Sequence, residues 1–575
     1  MGCFYLTSLP GDLKLGAVSQ QFSIFSPGHE MRPINRTMAL LLILIMCTAP
    51  GQSRAQKARK PTIGAQAHTL GQLAELVRRQ YYEQTDPIEL YHGAIEGYLS
   101  RLDPHSTYIT PEDLQQTQER LRGSFEGIGI YFDIIGNYLT VLSPIEGSPA
   151  YKVGLLPGDK IVKIDGRSSL GIKKASEVTR RLKGPKGSRV QVSVLRSGEE
   201  DLIEFGIVRD KIEVPSVPYA FQVEPGVGYV KINRFSSRTS KDLRSSLENL
   251  KAEGIRKLIL DLRGNGGGYL EQAVEVANQF VERELLVVYT EGRNKNSRED
   301  HFAAKEPVIG DKVPILVLVN SYSASASEIV AGAIQDYDRG MVVGRTTFGK
   351  GLVQKQYPLK NGGAVLLTVA RYFTPSERPI QRPFSKDRMS YLNAAHDGYD
   401  PNQDPDSLSQ KPIYYTKILH RKVYGSGGIT PDITLEADSL NAFERKLSRR
   451  FFFEFANLHA TDFTRNYSAF EPYLRRYTPG RKALSWFKDY LEEKGLEFTD
   501  RDFKSGTELI RNQLKRHFAQ IKWGSREAGQ VQVSQDPEVL SSLAVFSQAE
   551  KLLADRTYLY NRGQTHIPNP AGQLR

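Results

Sequence analysis

Five aliphatic residues in a row, Ile315-Leu316-Val317-Leu318-Val319, leave no polar side chain to face water. A strand with that pattern must be covered on both faces. It does not stand alone. Residues 227–232 and 258–262 read as further strands, and 313–319, 341–343 and 364–370 continue the series. Amphipathic stretches at 240–253, 271–280 and 327–335 fall between them. This alternation argues an α/β core around a largely buried sheet.

A chain of 575 residues exceeds what one hydrophobic core holds, so several domains are expected. With 39% hydrophobic and 25% charged residues it reads as an ordinary globular protein. The formal charge of +12 is spread along the chain, without a basic run or a basic–aromatic repeat. A nucleic-acid partner is therefore not expected.

The start carries an export pattern. Met31-Arg32-Pro33-Ile34-Asn35-Arg36 is basic, the stretch from Met38 to Cys47 is apolar, and Ser53-Arg54-Ala55 puts small residues where a signal peptidase reads. The apolar stretch is well short of the roughly 20 residues that span a bilayer. A leader over 1–55, cleaved after Ala55 and translated from Met31, is the expectation. Cys47 follows Met46, which is bulkier than a lipidation signal wants. Cleavage would remove Cys3 and Cys47, the two cysteines of the chain. The mature protein would then have no disulfide, thiol chemistry or Cys-ligated metal.

Residues 68–122 read as helices, with Leu73, Leu76 and Val77 at helical spacing and 88–98 repeating the period. Thr110 before Pro111 looks like an N-cap with proline in the first turn. His105, in the turn Leu102-Asp103-Pro104-His105-Ser106, is a tempting partner for a serine but reads as a packing residue. Residues 384–412, rich in Pro, Asn, Asp and Ser, read as a long surface loop. Beyond 437 the pattern is helical again. Ile510, Leu514, Phe518 and Ile521 form one stripe, and Leu540, Leu543 and Leu552 belong to another. Phe451-Phe452-Phe453, with Phe455, needs a partner surface. A core-facing helix is the plain reading, and a subunit or membrane-surface contact the alternative.

The chemistry lies where the first strand ends. Asn320 is followed by Ser321-Tyr322-Ser323-Ala324-Ser325-Ala326-Ser327-Glu328, and then by Phe348-Gly349-Lys350-Gly351-Leu352-Val353-Gln354. Serines at a strand-to-helix turn, with a glycine-flanked lysine close behind, suggest a serine nucleophile activated by an amine. To act as base near neutrality, Lys350 must lose about three units from its ordinary pKa of about 10.4, or about 4 kcal/mol. Desolvation by Phe348, Leu352 and Val353 is the plausible source.

These two strings, together with Leu102–Ser106 and the turn at 427–432, resemble the carboxyl-terminal processing peptidases, PDZ-containing serine proteases of the S41 type with a Ser-Lys dyad. The resemblance covers roughly 70–435. It implies Ser325 as nucleophile, Lys350 as base and Gln354 as the residue that orients the amine. Ser323 and Ser327 would pack or cap, Ser327 at the N-cap of the next helix. The N–H groups of Gly267 and Ala326 would form the oxyanion hole. Gly264 and Gly266 stand where the family usually has Asn and Pro, which would leave that bend looser. Residues 123–210 resemble a PDZ domain. Gly127-Ile128-Gly129-Ile130 would be its carboxylate-binding loop, with Ile128 and Ile130 framing the groove. Nearby Arg181, Lys183 and Lys186 read as a solvated face.

The expected fold is thus multidomain α/β: a leader over 1–55, an N-terminal helical segment over 68–122, an inserted PDZ domain over 123–210, a crotonase-like ββα spiral peptidase core over 211–436, and a helical C-terminal extension over 437–575. The expected function is an exported, periplasmic serine endopeptidase that needs no cofactor or metal. Its partners would be proteins or peptides with free C-termini, with peripheral membrane association and self-association left open. Two rivals remain. A non-catalytic PDZ scaffold would not need serine, lysine and glutamine together, and a crotonase-type acyl-CoA enzyme would need neither an export signal nor a PDZ insert.

Overall fold

The computed structural model describes residues 62–294, 296–384, 388–393, 411–436 and 440–561. The leader with its cleavage site lies outside the described residues, as does most of the 384–412 loop. The described residues fall into two units, one ending at Pro87 and the other beginning at Ile88. In the first, Ile63–Gln80 is a helix capped by Thr62, whose hydroxyl accepts the Ala65 N–H. Its Leu70, Leu73 and Leu76 are exposed.

The second unit is built on a six-stranded sheet in the order Ala220–Glu224, Val227–Lys231, Lys257–Asp261, Ile315–Val319, Met341–Gly344, Ile433–Thr434. The first pair is antiparallel and the others are parallel. Alternate side chains enter separate cores. Leu258, Leu260, Ile315, Val317 and Val319 pack with Leu243, Leu247, Ala273, Val276, Ile329 and Val330 from the helices Thr239–Ala252, Leu270–Ala277 and Ala326–Asp336. Ile259, Leu316 and Leu318 pack with Val533, Val539, Phe546, Ala549 and Leu552 from the C-terminal helices. The aliphatic run is therefore buried on both sides, each residue contributing about 1.5–3 kcal/mol. The helices Ser525–Ser534, Pro537–Leu543 and Phe546–Asn561 thus pack on this face of the sheet.

A second sheet orders Thr107–Ile109, Ala364–Phe373, Leu286–Gly292 and Glu299–Phe302, with Leu352–Pro358 also paired to Ala364–Phe373. Of these strands only Ala364–Phe373 had a counterpart in the sequence reading; Thr107–Ile109 lies inside the segment read as helical, and Leu286–Gly292, Glu299–Phe302 and Leu352–Pro358 were not read as strands. The PDZ-like part is an antiparallel sheet of Ile130–Ile135, Tyr138–Pro144, Lys160–Ile164, Arg189–Leu195 and Ile203–Val208, with the helix Ala175–Leu182. It enters and leaves through a two-stranded stem, Ser124–Gly127 against Asp210–Glu213.

The C-terminal helices form their own aromatic core. Phe452 stacks on Phe487 at 4.9 Å, and Phe455, Tyr473, Leu514 and Phe518 surround them. The phenylalanine run thus faces inward, with Phe452, Phe453 and Phe455 buried. Ile510, Leu514 and Phe518 are fully buried as expected, but Leu540 is exposed, because its helix turns Val539 to the sheet instead. No helix among the described residues is long and apolar enough to cross a membrane.

Candidate active site

The turn after Ile315–Val319 separates the three serines by their surroundings. Ser323 and Ser327 are buried, and their hydroxyls donate to the carbonyls of Leu262 and Asn265 at 2.9 and 2.8 Å. Ser325 is partly exposed and sits at φ 58°, a left-handed conformation that is costly for a residue with a Cβ. Ser325, not Ser327, is the N-cap of Ala326–Asp336, which corrects the sequence reading. Helix dipole and chain strain therefore both converge on Ser325. The N–H of Ala326 has no hydrogen-bond partner among the described residues.

Glu328 organises the surroundings. Its fully buried carboxylate accepts the N–H groups of Ser325 (2.7 Å), Gly349 (2.7 Å) and Lys350 (2.9 Å), and the Thr347 hydroxyl at 2.6 Å. Burial pushes its pKa up, and these four donors oppose the shift. The serine turn and the lysine loop are thereby fastened to one side chain. A further bond, Phe348 N–H to the Ser323 carbonyl at 2.9 Å, closes the same junction.

The Lys350 amine donates to Gln354 Oε1 at 2.7 Å, and Gln354 Nε2 donates to the His105 carbonyl at 2.6 Å. Burial lowers the Lys350 pKa below the ordinary lysine value, while the charges of Glu328 and Asp103 work in the opposite direction. Leu352 is buried and Val353 packs on the main core, and Phe348 joins a ring cluster with His105 and Tyr391. Tyr372 donates its hydroxyl to the Lys350 carbonyl, and burial raises its pKa while the nearby Ser325 side chain opposes the shift.

His105 lies closer to this chemistry than a packing turn would suggest. Its carbonyl holds Gln354, and its ring contacts Tyr391 Oη at 3.1 Å. Burial and then the Lys350 charge push its pKa down to about 4, so the ring is neutral near pH 7. Asp103 fixes the turn by accepting the N–H groups of His105 and Ser106 at 2.8 and 2.9 Å. Glu328, Tyr372 and the His105 carbonyl were not read as site residues. Glu328 closes the serine string itself, whereas Tyr372 carries no local signal.

The glycine bend is tied down, contrary to the looseness expected from Gly264 and Gly266. Gly264 N–H donates to Asn320 Oδ1 at 2.9 Å, Asn265 Nδ2 to the Ile232 carbonyl at 3.0 Å, and Phe235 N–H to the Gly267 carbonyl at 3.0 Å. Gly267 has φ 96°, and a Cβ there would lie 2.8 Å from Ser325 Cβ and 3.0 Å from Ala326 N. Only glycine can approach the serine so closely. The Gly267 N–H itself donates to Asn265 Oδ1 at 2.9 Å.

In the PDZ-like part, the loop Gly127-Ile128-Gly129-Ile130 is pinned through its carbonyls. Ile128 O accepts the Ala150 N–H, and Gly129 O accepts the Ile145 N–H and the Ser148 hydroxyl, each at 2.9 Å. Ile128 is only 2% exposed and belongs to the domain core, so its side chain cannot frame a groove. Ile130 begins an edge strand, Ile130–Ile135, that has a neighbour on one side only among the described residues. Such an edge accepts an added peptide strand. Arg181, Lys183 and Lys186 are paired with Glu177, Glu119 and Asp210, respectively. No cluster of His, Cys, Asp and Glu able to hold a metal occurs among the described residues.

Comparisons with known proteins agree with this architecture. The chain matches peptidase family S41 over 226–387, the PDZ domain family over 140–196, the activating protease CtpB N-terminal domain over 47–113, and a family of unknown function, DUF8443, over 440–524. It is 39% identical over 315 residues to the carboxy-terminal-processing protease of Bartonella bacilliformis, covering 54% of this chain and 71% of that one. It is 37% identical to the carboxy-terminal processing protease CtpA of Bacillus subtilis, covering 53% and 64%. To a probable CtpA-like serine protease of Staphylococcus saprophyticus it is 36% identical, covering 54% and 62%. The chain thus spans about two thirds of the length of these relatives. It belongs to the S41 peptidase family of carboxy-terminal processing proteases.

Proposed function

We propose that the protein is an exported serine endopeptidase that hydrolyses protein substrates near their C-termini through Ser325 and Lys350. The observation that carries the reading is the shared anchor: the backbone N–H groups of the serine and the lysine donate to one oxygen of Glu328, at 2.7 and 2.9 Å. The Lys350 amine, lowered in pKa by burial, is aimed by Gln354. In its neutral form it takes the Ser325 proton as the serine oxygen attacks the scissile carbonyl. The same proton then passes to the departing amine, leaving an acyl-serine. Water, deprotonated by Lys350, attacks that ester and releases the new C-terminus. The Ala326 N–H supports the oxyanion together with the Gly267 N–H, which shares its bond with Asn265.

The edge strand Ile130–Ile135 and the loop before it suit capture of a free C-terminus as an added strand. The core is read as the ββα spiral of crotonase-like enzymes, with the domain limits given above. Export is read from the leader, and N-terminal sequencing of the mature protein should begin at Gln56. Mass mapping after reaction with a fluorophosphonate tests the nucleophile. A label on Ser325 supports the proposal, and a label on Ser323 or no label sinks it.

A further inference from the structure

Asp536 and Glu538 open the helix Pro537–Leu543, beyond the 440–524 match and more than 180 positions after the last catalytic residue. Yet they sit beside the site. Arg263, directly before the glycine bend, donates to Asp536 at 2.9 and 3.1 Å, to Asp261 at 2.7 Å, and to Glu538. Arg345, directly before Thr346-Thr347-Phe348-Gly349-Lys350, pairs with the other Glu538 oxygen at 2.9 Å. One carboxylate therefore joins the residue that leads into Gly267 to the residue that leads into Lys350. Lys231 completes the cluster on Asp261 at 3.0 Å, giving three cations and three anions, all mostly removed from solvent. Without Glu538 the balance tips positive, and Arg263 and Arg345 face each other as like charges that repel strongly in a poorly solvated site.

We propose that Glu538 is a positioning residue for hydrolysis, a bracket by which the C-terminal extension holds the oxyanion bend and the lysine loop in register. The proposal rests on the Ser325–Lys350 reading given above. It differs from simple docking of the extension, which has other means. Lys257, at the opposite end of the strand that ends in Asp261, pairs with Glu550 at 2.9 Å and touches neither loop.

The test compares full-length Glu538→Gln, Arg345→Gln and Glu550→Gln by kcat, KM and amide hydrogen exchange at 264–268 and 345–350. Glu538→Gln should lower kcat by about 10- to 100-fold with KM nearly unchanged, since small misplacements of reacting groups cost on that order. Exchange should accelerate in both loops. Glu538→Asp, which keeps the charge, should recover part of the loss. Glu550→Gln should leave kcat and both loops as in the wild type. Arg345→Gln should loosen the lysine loop alone, and it decides the matter if Glu538→Gln does not fold. Wild-type exchange in both loops of Glu538→Gln, or an equal kcat loss in Glu550→Gln, overturns the bracket. A wild-type enzyme inert toward peptides defeats the peptidase reading instead, and the exchange data still decide for or against the bracket.

Discussion

The Ser325 and Lys350 amides end on the same atom, Oε2 of Glu328, so their nitrogens are no farther apart than two hydrogen bonds laid end to end. Twenty-five positions of chain separate the two residues, yet one carboxylate sets their spacing. The spacing of the two backbones is therefore fixed by one side chain, and Gln354 holds the tip of the flexible lysine stem.

Replacing that carboxylate should be costly. In Glu328→Gln, either orientation of the amide turns NH2 toward donors, and each orphaned donor costs about 1–3 kcal/mol. Thermal melting should show the loss of stability, and peptide hydrolysis should fall by more than tenfold even where the variant is folded. An unchanged melting temperature would mean that Glu328 does not hold the two loops.

The pH dependence follows from Lys350. Its pKa is lowered by burial, so the neutral amine, the form able to accept a proton, appears below the ordinary lysine value. kcat/KM should rise with pH through a single ionisation that lies below about 10.4. His105, already held down to about 4, should add no step near pH 6.5. A limb that vanishes in His105→Gln would make the histidine the base.

Gly267→Ala should lose nearly all activity. The added methyl would lie 2.8 Å from Ser325 Cβ and from the Ala324 carbonyl oxygen, at a φ that alanine disfavours. Gly266→Ala, where a Cβ meets nothing within 4 Å, is the matched control and should stay active.

Much of this was legible in the chain and some was not. The sheet was, because Ile315–Val319 and its neighbours bury both faces and admit no other reading. Leu352–Pro358 was not, because Lys355 and Gln356 break the apolar signal along an exposed edge, nor was Leu286–Gly292, whose short buried run Val287–Thr290 is cut off by Glu291. Ser325 and Lys350 stood out through their strings. His105 was read as packing because its place depends on Thr107–Ile109 pairing with Ala364–Phe373, far away in sequence. The junction of Arg263 with Asp536 and Glu538 spans more than 270 positions, and no local pattern announces it. The C-terminal extension had no functional reading for that reason.

Substrate capture should depend on the terminal charge. A charge-assisted hydrogen bond is worth about 1.5–3 kcal/mol, so amidating a substrate's C-terminus should raise KM by roughly ten- to a hundredfold. kcat should hardly move, since Ser325 and Lys350 are untouched. Adding a C-terminal aspartate should also weaken capture, though Ile128, sealed in the domain core, cannot be the residue that selects the apolar end. Equal rates for carboxylate, amide and aspartate forms would remove the C-terminal reading of the PDZ domain.

The most direct test is the hydrolysis of one polypeptide with a free C-terminus by the wild type and by Ser325→Ala, Ser323→Ala, Lys350→Ala and Lys350→Arg. Ser325→Ala and both lysine variants should be inactive while folded, the arginine because its guanidinium stays protonated in this pH range. Ser323→Ala, which removes only a hydroxyl bonded to the Leu262 carbonyl, should keep most of its activity. An active Ser325→Ala or Lys350→Arg, or a dead but folded Ser323→Ala, would contradict the account.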